Sequence, residues 1–279
     1  MAETQELIRL AVFGRPVKHS LSPLIHSAFA GQFGLPIDYR AIEATAESFP
    51  KRVAKLARDG GRGCNVTVPL KHEAWRLADR CSPEAERAQA ANTLQFDCDG
   101  LYATNTDGAG LVNDLEKIIG FELRGRKVCL LGAGGAARGV LGALLGRQPN
   151  SVTVSNRTVD RALALADRYS DLGEVQGTSL DAAASRGPFD LVINATAQGH
   201  RGEAPGLDGN WFSPAALCYD MNYGHAADPL ARRCSKLDVR YSDGLGMLVA
   251  QAALSFELWT GRKPDTLPVL EDLRATARE

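Results

Sequence analysis

Between the apolar stretch Val128 to Leu131 and a helix-forming run that reaches Leu145 lies Gly132-Ala133-Gly134-Gly135-Ala136-Ala137. Few arrangements tolerate so little side chain between a strand and a helix. The first glycine suits a tight turn and the second lets backbone approach a pyrophosphate. Ala137 allows close packing of the helix, whose N-terminus favours negative charge. With a strand before it and a helix after it, the run reads as a dinucleotide-binding turn rather than a purely structural one. It commits this part of the chain to a parallel βαβ layer.

The same alternation runs from end to end, which predicts an α/β protein. Strands are expected at Leu7 to Phe13, Ile37 to Ile42, Cys64 to Val68, Lys127 to Leu131, Val152 to Ser155, Leu191 to Asn194, Leu217 to Asp220 and Val239 to Ser242. Ser22-Pro23 reads as N-cap and first residue of a helix carrying Leu24, Ile25, Ala28 and Phe29. A hairpin is expected around Asp97 to Gly100, a helix from Gly108 to Ile119 closed by Gly120, and a last long helix from Met247 to Trp259. At 279 residues the chain has room for two domains. The helix from Gly108 is the expected connector between them.

Lys plus Arg number 32 against 33 for Asp plus Glu, a net charge of −1, so no global field draws the chain to nucleic acid or an anionic membrane. No apolar run reaches the ~18 residues of a membrane span. Met1 to Glu6 is acidic where a secretory leader would be basic, and the six cysteines are dispersed without a Cys-x-x-Cys. Free thiols and a cytoplasmic setting are the expectation. His19, His26, His72, His200 and His225 lack metal-ligand spacing, so no metal is expected. Trp75, Trp211 and Trp259 read as packing residues.

The second strand of the later series ends in Asn156-Arg157-Thr158, where an NAD-binding protein would place a carboxylate for the ribose hydroxyls. Arg157 would instead attract a 2′-phosphate and stack on adenine, and Thr158 can donate a hydroxyl, which favours NADP.

In the first third, Ser20 and Ser22 stand just after a strand at a helix start and suit a carboxylate. Asn65 and Thr67 share one face of a strand that delivers Lys71, and Asn92-Thr93 with Asn105-Thr106-Asp107 add amides, hydroxyls and a carboxylate. A polyhydroxylated acid fits such a set. Hydride transfer between an alcohol carbon and a nicotinamide needs a partner for the hydroxyl proton, and Lys71 with Asp107 is the plausible pair. A lysine ordinarily carries its proton at neutral pH, so it either loses that proton in its site or donates it in the reductive direction. The sequence leaves the division of roles open.

Taken together these residues resemble the shikimate dehydrogenase family over nearly the whole chain. The resemblance rests on Gly14-Arg15-Pro16-Val17 with His19 to Pro23, on Asn65 to Lys71, Ala91 to Leu94, Asn105 to Gly108 and the glycine loop. Asn156-Arg157-Thr158, Asn194-Ala195-Thr196, Tyr219 to Tyr223 and Asp243 to Gln251 complete it. It implies NADP-dependent reduction of 3-dehydroshikimate in aromatic biosynthesis. The alternatives are an enzyme that also takes quinate or NAD, and a catalytically silent sensor of NADP or shikimate.

The implied architecture is a substrate-binding domain of residues 1–107, completed by 243–279, and a Rossmann-like NADP-binding domain of 108–242, with a cleft between them. The implied catalytic pair is Lys71 and Asp107. Ser20, Ser22, Asn65, Thr67, Asn92, Tyr223 and Gln251 would join them around the substrate. The implied coenzyme contacts are Gly132, Ala133, Gly134, Gly135, Ala136, Asn156, Arg157, Thr158, Thr196, Met221, Gly244 and Met247. A small-molecule substrate is the only partner implied beyond a monomer or homodimer. Ser27, Ala197 and His200 depart from the family pattern, the last two on the nicotinamide side.

Overall fold

The computed structural model describes residues 6–276, so the acidic start at Met1 to Gln5 lies outside the described residues. The chain forms two compact units, residues 1–110 with 249–279 and residues 111–248.

The first unit contains, in chain order, β1 (Ile8–Gly14), α1 (Ser22–Phe33), β2 (Ile37–Glu43), α2 (Phe49–Arg58), β3 (Gly61–Val66) and α3 (Lys71–Leu77). There follow β4 (Arg80–Cys81), α4 (Pro83–Ala88), β5 (Thr93–Asp97), β6 (Gly100–Thr104) and the start of α5 (Asp107–Asn113). The strand order is β2-β1-β3-β5-β6-β4. β1 runs parallel to β2 and β3, whereas β5 is antiparallel to both β3 and β6. The antiparallel pairing of β5 with β6 follows from the two-residue Cys98-Asp99 connection, which can join only antiparallel strands. Along β1 the side chains alternate between two cores. Ala11 and Phe13 pack with Phe49, Val66 and Leu94, while Leu10 and Val12 pack with Val17, Tyr39 and Trp259.

The second unit follows with β7 (Lys127–Leu131), α6 (Gly135–Leu145), β8 (Ser151–Ser155), α7 (Val159–Arg168), β9 (Val175–Thr178) and α8 (Leu180–Ala184). It continues through β10 (Phe189–Asn194), β11 (Phe212–Asp220), α9 (Asp228–Lys236) and β12 (Arg240–Ser242) into α10 (Leu245–Thr260). All six strands are parallel in the order β12-β11-β10-β7-β8-β9. Relabelled from β7, this is the doubly wound order with its switch point between β7 and β10. Val128 and Leu130 face one buried cluster, and Cys129 and Leu131 face the other. Burial on both faces explains why these strands read as continuous apolar runs. The chain re-enters the first unit within α10 and ends in α11 (Leu267–Thr276).

The connector differs in detail from expectation. α5 stops at Asn113 and continues as a π-helical turn, Asp114–Ile118, before Gly120 closes it at φ +72°. At α1, Ser22 is the first helical residue rather than the N-cap. Its backbone N–H donates to the Ser20 hydroxyl at 3.2 Å, so Ser20 supplies the capping oxygen. β3 ends at Val66, which leaves Thr67 in the loop, although its N–H still donates to Phe13 O at 2.8 Å. Among the described residues no helix is long and apolar enough to cross a membrane. All six cysteines are free thiols.

Candidate active site

In the first unit the polar residues scattered along the sequence converge on Asn92. Its Nδ2 lies 2.9 Å from Thr106 Oγ1, 2.9 Å from Asp107 Oδ1 and 3.0 Å from Gln251 Oε1. Its Oδ1 accepts from the Thr106 N–H at 2.9 Å and the Thr93 hydroxyl at 3.0 Å. Every partner is buried, so each hydrogen bond forms where water does not compete. Gly110 permits the approach of α10, since a Cβ there would come within 2.8 Å of Gln251 Cβ.

Lys71 opens α3 and Asp107 opens α5. Lys71 Nζ donates to Asp107 Oδ2 at 2.5 Å, with side chains only 12% and 6% exposed. Asp107 is therefore held from both sides, by the ammonium on one oxygen and Asn92 on the other. A paired cation and carboxylate beside a cluster of amide and hydroxyl groups can pass a proton to or from a polyhydroxylated ligand. Among the described residues no group of His, Cys, Asp or Glu is arranged to hold a metal.

Asn65 is buried and engaged at both ends. Its Nδ2 lies 3.1 Å from Asn92 O, 3.2 Å from Thr93 Oγ1 and 3.0 Å from Ser255 Oγ. Its Oδ1 accepts from the Tyr39 hydroxyl at 2.7 Å and from His26 Nε2 at 3.2 Å. Since that oxygen can only accept, His26 carries its proton on Nε2. His26 stacks on Tyr39 with ring centroids 4.4 Å apart. Burial pushes the imidazole down to about 3, against the opposing hydrogen bond with Asn65. Burial raises the Tyr39 phenol, which is also hydrogen-bonded to Ser22. Thr93 was expected beside Asn92, whereas the bracing residues His26, Tyr39 and Ser255 were not among the expected site residues. Only their polar character in otherwise apolar stretches marks them in the sequence.

In the second unit the glycine loop stands at the carboxyl end of β7. Gly132 has φ +110°, and a Cβ there would lie 3.1 Å from Ala195 O. Both facts exclude a larger residue. Gly134 precedes α6 as its extended N-cap, Gly135 and Ala136 form the first turn, and Ala137 is fully buried beneath. At the end of β8, Asn156 Nδ2 donates to Thr158 O at 2.9 Å, which shapes a loop that leaves Arg157 and Thr158 exposed.

Arg161 on the first turn of α7 and Arg138 on the first turns of α6 line a cavity of about 200 Å³ with Arg168. Burial, then the like charges of Arg168 and Arg161, lower the Arg138 guanidinium from its ordinary value. Neither Arg138 nor Arg161 was expected. Their only sequence signal is a cation one turn into each of two helices that begin at neighbouring strand ends.

At the carboxyl ends of β10, β11 and β12 lie Thr196, Met221, Tyr223 and Gly244. Thr196 donates through its N–H and hydroxyl to Asn194 Oδ1, at 3.1 and 2.7 Å. Met221 N–H donates to Asn194 O at 2.9 Å, and Gly244 leaves room for Met221 O, which a Cβ would meet at 2.6 Å. Tyr223 leads into the short turn Gly224–Ala226, and Met247 is buried in the core of this unit. His200 is an exposed residue of the turn Gln198–Arg201.

Three family models match this chain: the shikimate dehydrogenase substrate binding domain over residues 12–94, shikimate / quinate 5-dehydrogenase over 114–201, and the shikimate 5′-dehydrogenase C-terminal domain over 244–274. A relative from Alkalilimnicola ehrlichii named shikimate dehydrogenase (NADP(+)) is 46% identical over 95% of this chain and 98% of its own. The chain belongs to the shikimate dehydrogenase family. A crystal structure of an Ael1 enzyme from Pseudomonas putida superposes with a TM-score of 0.88 at 40% identity, covering 95% of this chain and 98% of that one. The shikimate 5-dehydrogenase of Thermus thermophilus, solved with NADP(H) and shikimate, gives 0.82 at 35% identity over 96% and 99%. Members of this family thus share both units with the present chain.

Proposed function

We propose that this shikimate dehydrogenase family member catalyses the reversible NADPH-dependent reduction of 3-dehydroshikimate to shikimate in aromatic biosynthesis. The unit of residues 1–110 and 249–279 takes the substrate, and the unit of 111–248 takes the coenzyme. The observation that carries this reading is the buried Lys71–Asp107 pair, 2.5 Å apart, locked to Asn92 in the unit that matches the substrate binding domain.

The residues of the second unit fit NADP. The turn at Gly132 excludes a side chain, the N-terminus of α6 offers amides to a pyrophosphate, and exposed Arg157 offers a fork of donors to a 2′-phosphate. When bound, NADPH supplies the hydride. Arg161 and Arg138 reinforce the positive potential beside Arg157, while Asn156 and Thr158 shape its loop. Thr196, Met221 and Gly244 line the nicotinamide side.

The first unit handles the proton. As the substrate carbonyl becomes an alcohol its oxygen gathers negative charge, and Lys71 Nζ gives it a proton. Asp107 holds the ammonium on line and in turn receives hydrogen bonds from Asn92. In the oxidative direction the same pair takes the proton away. Ser20 and Ser22 receive the carboxylate, and Thr67, Asn92 and Gln251 address the ring hydroxyls. Asn65 works one layer behind, since its amide is already engaged with His26, Tyr39, Thr93 and Ser255.

The test follows absorbance at 340 nm with shikimate or quinate and with NADP or NAD in all four combinations. Turnover confined to shikimate with NADP supports the reading. Comparable rates with quinate or NAD would replace it with a broader dehydrogenase, and silence in all four would refute it.

A further inference from the structure

Asp220, the last residue of β11, is fully buried and belongs to none of the contacts assigned so far. Its Oδ1 accepts from Asn194 Nδ2 at 3.0 Å, Asn222 N–H at 3.0 Å and Asn222 Nδ2 at 2.7 Å. Both asparagines pass the connection on to one place. Asn194 Oδ1 receives both donors of Thr196, and Asn222 Nδ2 also donates to Thr196 O at 3.0 Å. Asn222 O in turn accepts from Gly244 N–H at 2.9 Å. One carboxylate oxygen thereby ties together the exits of β10, β11 and β12.

The location of these exits gives the network its meaning. In a doubly wound sheet of this order a dinucleotide lies across the carboxyl edge, with its pyrophosphate at the first βα turn and one nucleoside on each side of the switch point. Arg157, at the end of β8, marks the adenosine side. The exits of β10 to β12 therefore face the nicotinamide half. Thr196 and Gly244, which line that half, owe their placement to Asn194 and Asn222, and those two owe theirs to Asp220.

A carboxyl group is a costly choice for mere packing here. Its Oδ2 is buried without a hydrogen-bond partner, and the charge that acts on it, that of Asp243, is of like sign. Burial pushes Asp220 up to about 6, the bonds from Asn222 and Asn194 pull it down, and Asp243 adds to the rise. Near neutrality the ionised form holds three donors more strongly than a neutral acceptor would. Protonation would weaken all three at once.

We propose that Asp220 is a positioning residue that holds the Thr196, Asn222 and Gly244 turns as a preorganised platform for the nicotinamide half of the coenzyme. The inference rests on the coenzyme reading above. It acts through Asn194 and Asn222, so Asp220 itself touches neither coenzyme nor substrate.

The experiment is calorimetric titration of the folded protein with two ligands, NADP+ and 2′-phospho-ADP-ribose, which keeps the adenosine and pyrophosphate but lacks the nicotinamide. Asp220→Ala is expected to weaken NADP+ by about tenfold or more, the size of a lost charged hydrogen bond, while 2′-phospho-ADP-ribose binds as in the wild type. Asn222→Ala, at a half-buried position that spares the core, is expected to show the same split. Asp220→Asn keeps an acceptor at Oδ1 and is expected to recover most of the NADP+ affinity. Equal losses for both ligands in Asp220→Ala and Asn222→Ala would show a general structural role and overturn the proposal. Wild-type NADP+ affinity in both variants would overturn it equally. A wild-type protein that binds neither ligand would overturn the coenzyme reading itself, and this inference with it.

Discussion

His26 offers a test of the substrate-side brace that needs no ligand. Its imidazole is neutral in the folded protein, donates through Nε2 to Asn65, and leaves the unprotonated Nδ1 buried with no hydrogen-bond partner. Adding a proton would place an unpaired charge among Tyr39, Phe29, Phe256 and Trp259. The unfolded chain has no such obstacle and titrates near 6.5, whereas the folded value is pushed down to about 3. Because the folded value is depressed, the unfolded state binds more protons between those two values. Stability is complete above the unfolded value and falls as the pH drops through the window. Between pH 7 and pH 5 this one group removes about 2 kcal/mol, rising to about 4 kcal/mol by pH 3.

His26→Gln keeps an N–H for Asn65 and abolishes the titration. The variant should be less stable at pH 7, where it loses the stack on Tyr39 at a cost of about 0.5–1.5 kcal/mol plus some packing. Its deficit should then shrink by about 2 kcal/mol at pH 5, because every other titrating group is common to both proteins. Urea unfolding at pH 7, 6 and 5, followed by tryptophan fluorescence, measures the gap. Trp259 is a suitable reporter, with its ring centroid 5.5 Å from the imidazole. A gap that stays constant within about 0.5 kcal/mol over this range would refute the claim that His26 stays neutral in the fold.

Lys71→Ala should lower kcat by roughly 10²- to 10⁴-fold, with a smaller change in the KM for shikimate, in steady-state assays. A loss confined to KM would contradict the proton-transfer role. Arg157→Ala should raise the KM for NADPH by about tenfold while leaving NADH kinetics nearly unchanged. Equal effects on the two coenzymes would remove the 2′-phosphate assignment. Gly199→Ala would drive a methyl group into Ala226 O, so the turns Gln198–Arg201 and Gly224–Ala226 must part; a loss of about 1–3 kcal/mol in urea unfolding is expected. For Asp220 the folded carboxyl is raised from 3.8 to about 6, so its burial costs stability as pH rises through that window, by about 3 kcal/mol when complete. Asp220→Asn should therefore gain on the wild type between pH 4 and pH 8, and a gap independent of pH would contradict the buried-acid reading.

The sequence by itself determined what depends on neighbours in the chain. The glycine loop, Ala137 beneath it, the Cys98-Asp99 hairpin and exposed Arg157 follow from backbone freedom, side-chain size and local alternation, and all were legible residue by residue. Strand ends and caps were less so. Ser20 rather than Ser22 supplies the capping oxygen of α1, and the connector after Asn113 winds into a π turn around buried Asp114. These choices turn on which partner a hydroxyl or carbonyl meets, and short patterns do not encode partners.

Only the tertiary structure decided which polar groups share a site. Asn92 and Gln251 are 159 positions apart, and Asn65 and Ser255 are 190 apart, yet each pair is within hydrogen-bonding distance. Periodicity reports which face of an element is apolar. It carries no information on which distant element covers that face. The tie from Asp220 to Thr196 exists only because sheet order brings the ends of β10 and β11 together, and the bracing of Asn65 only because α1 and β2 bring His26 and Tyr39 to it. A buried polar atom must then find its partner among whatever side chains the topology has put beside it.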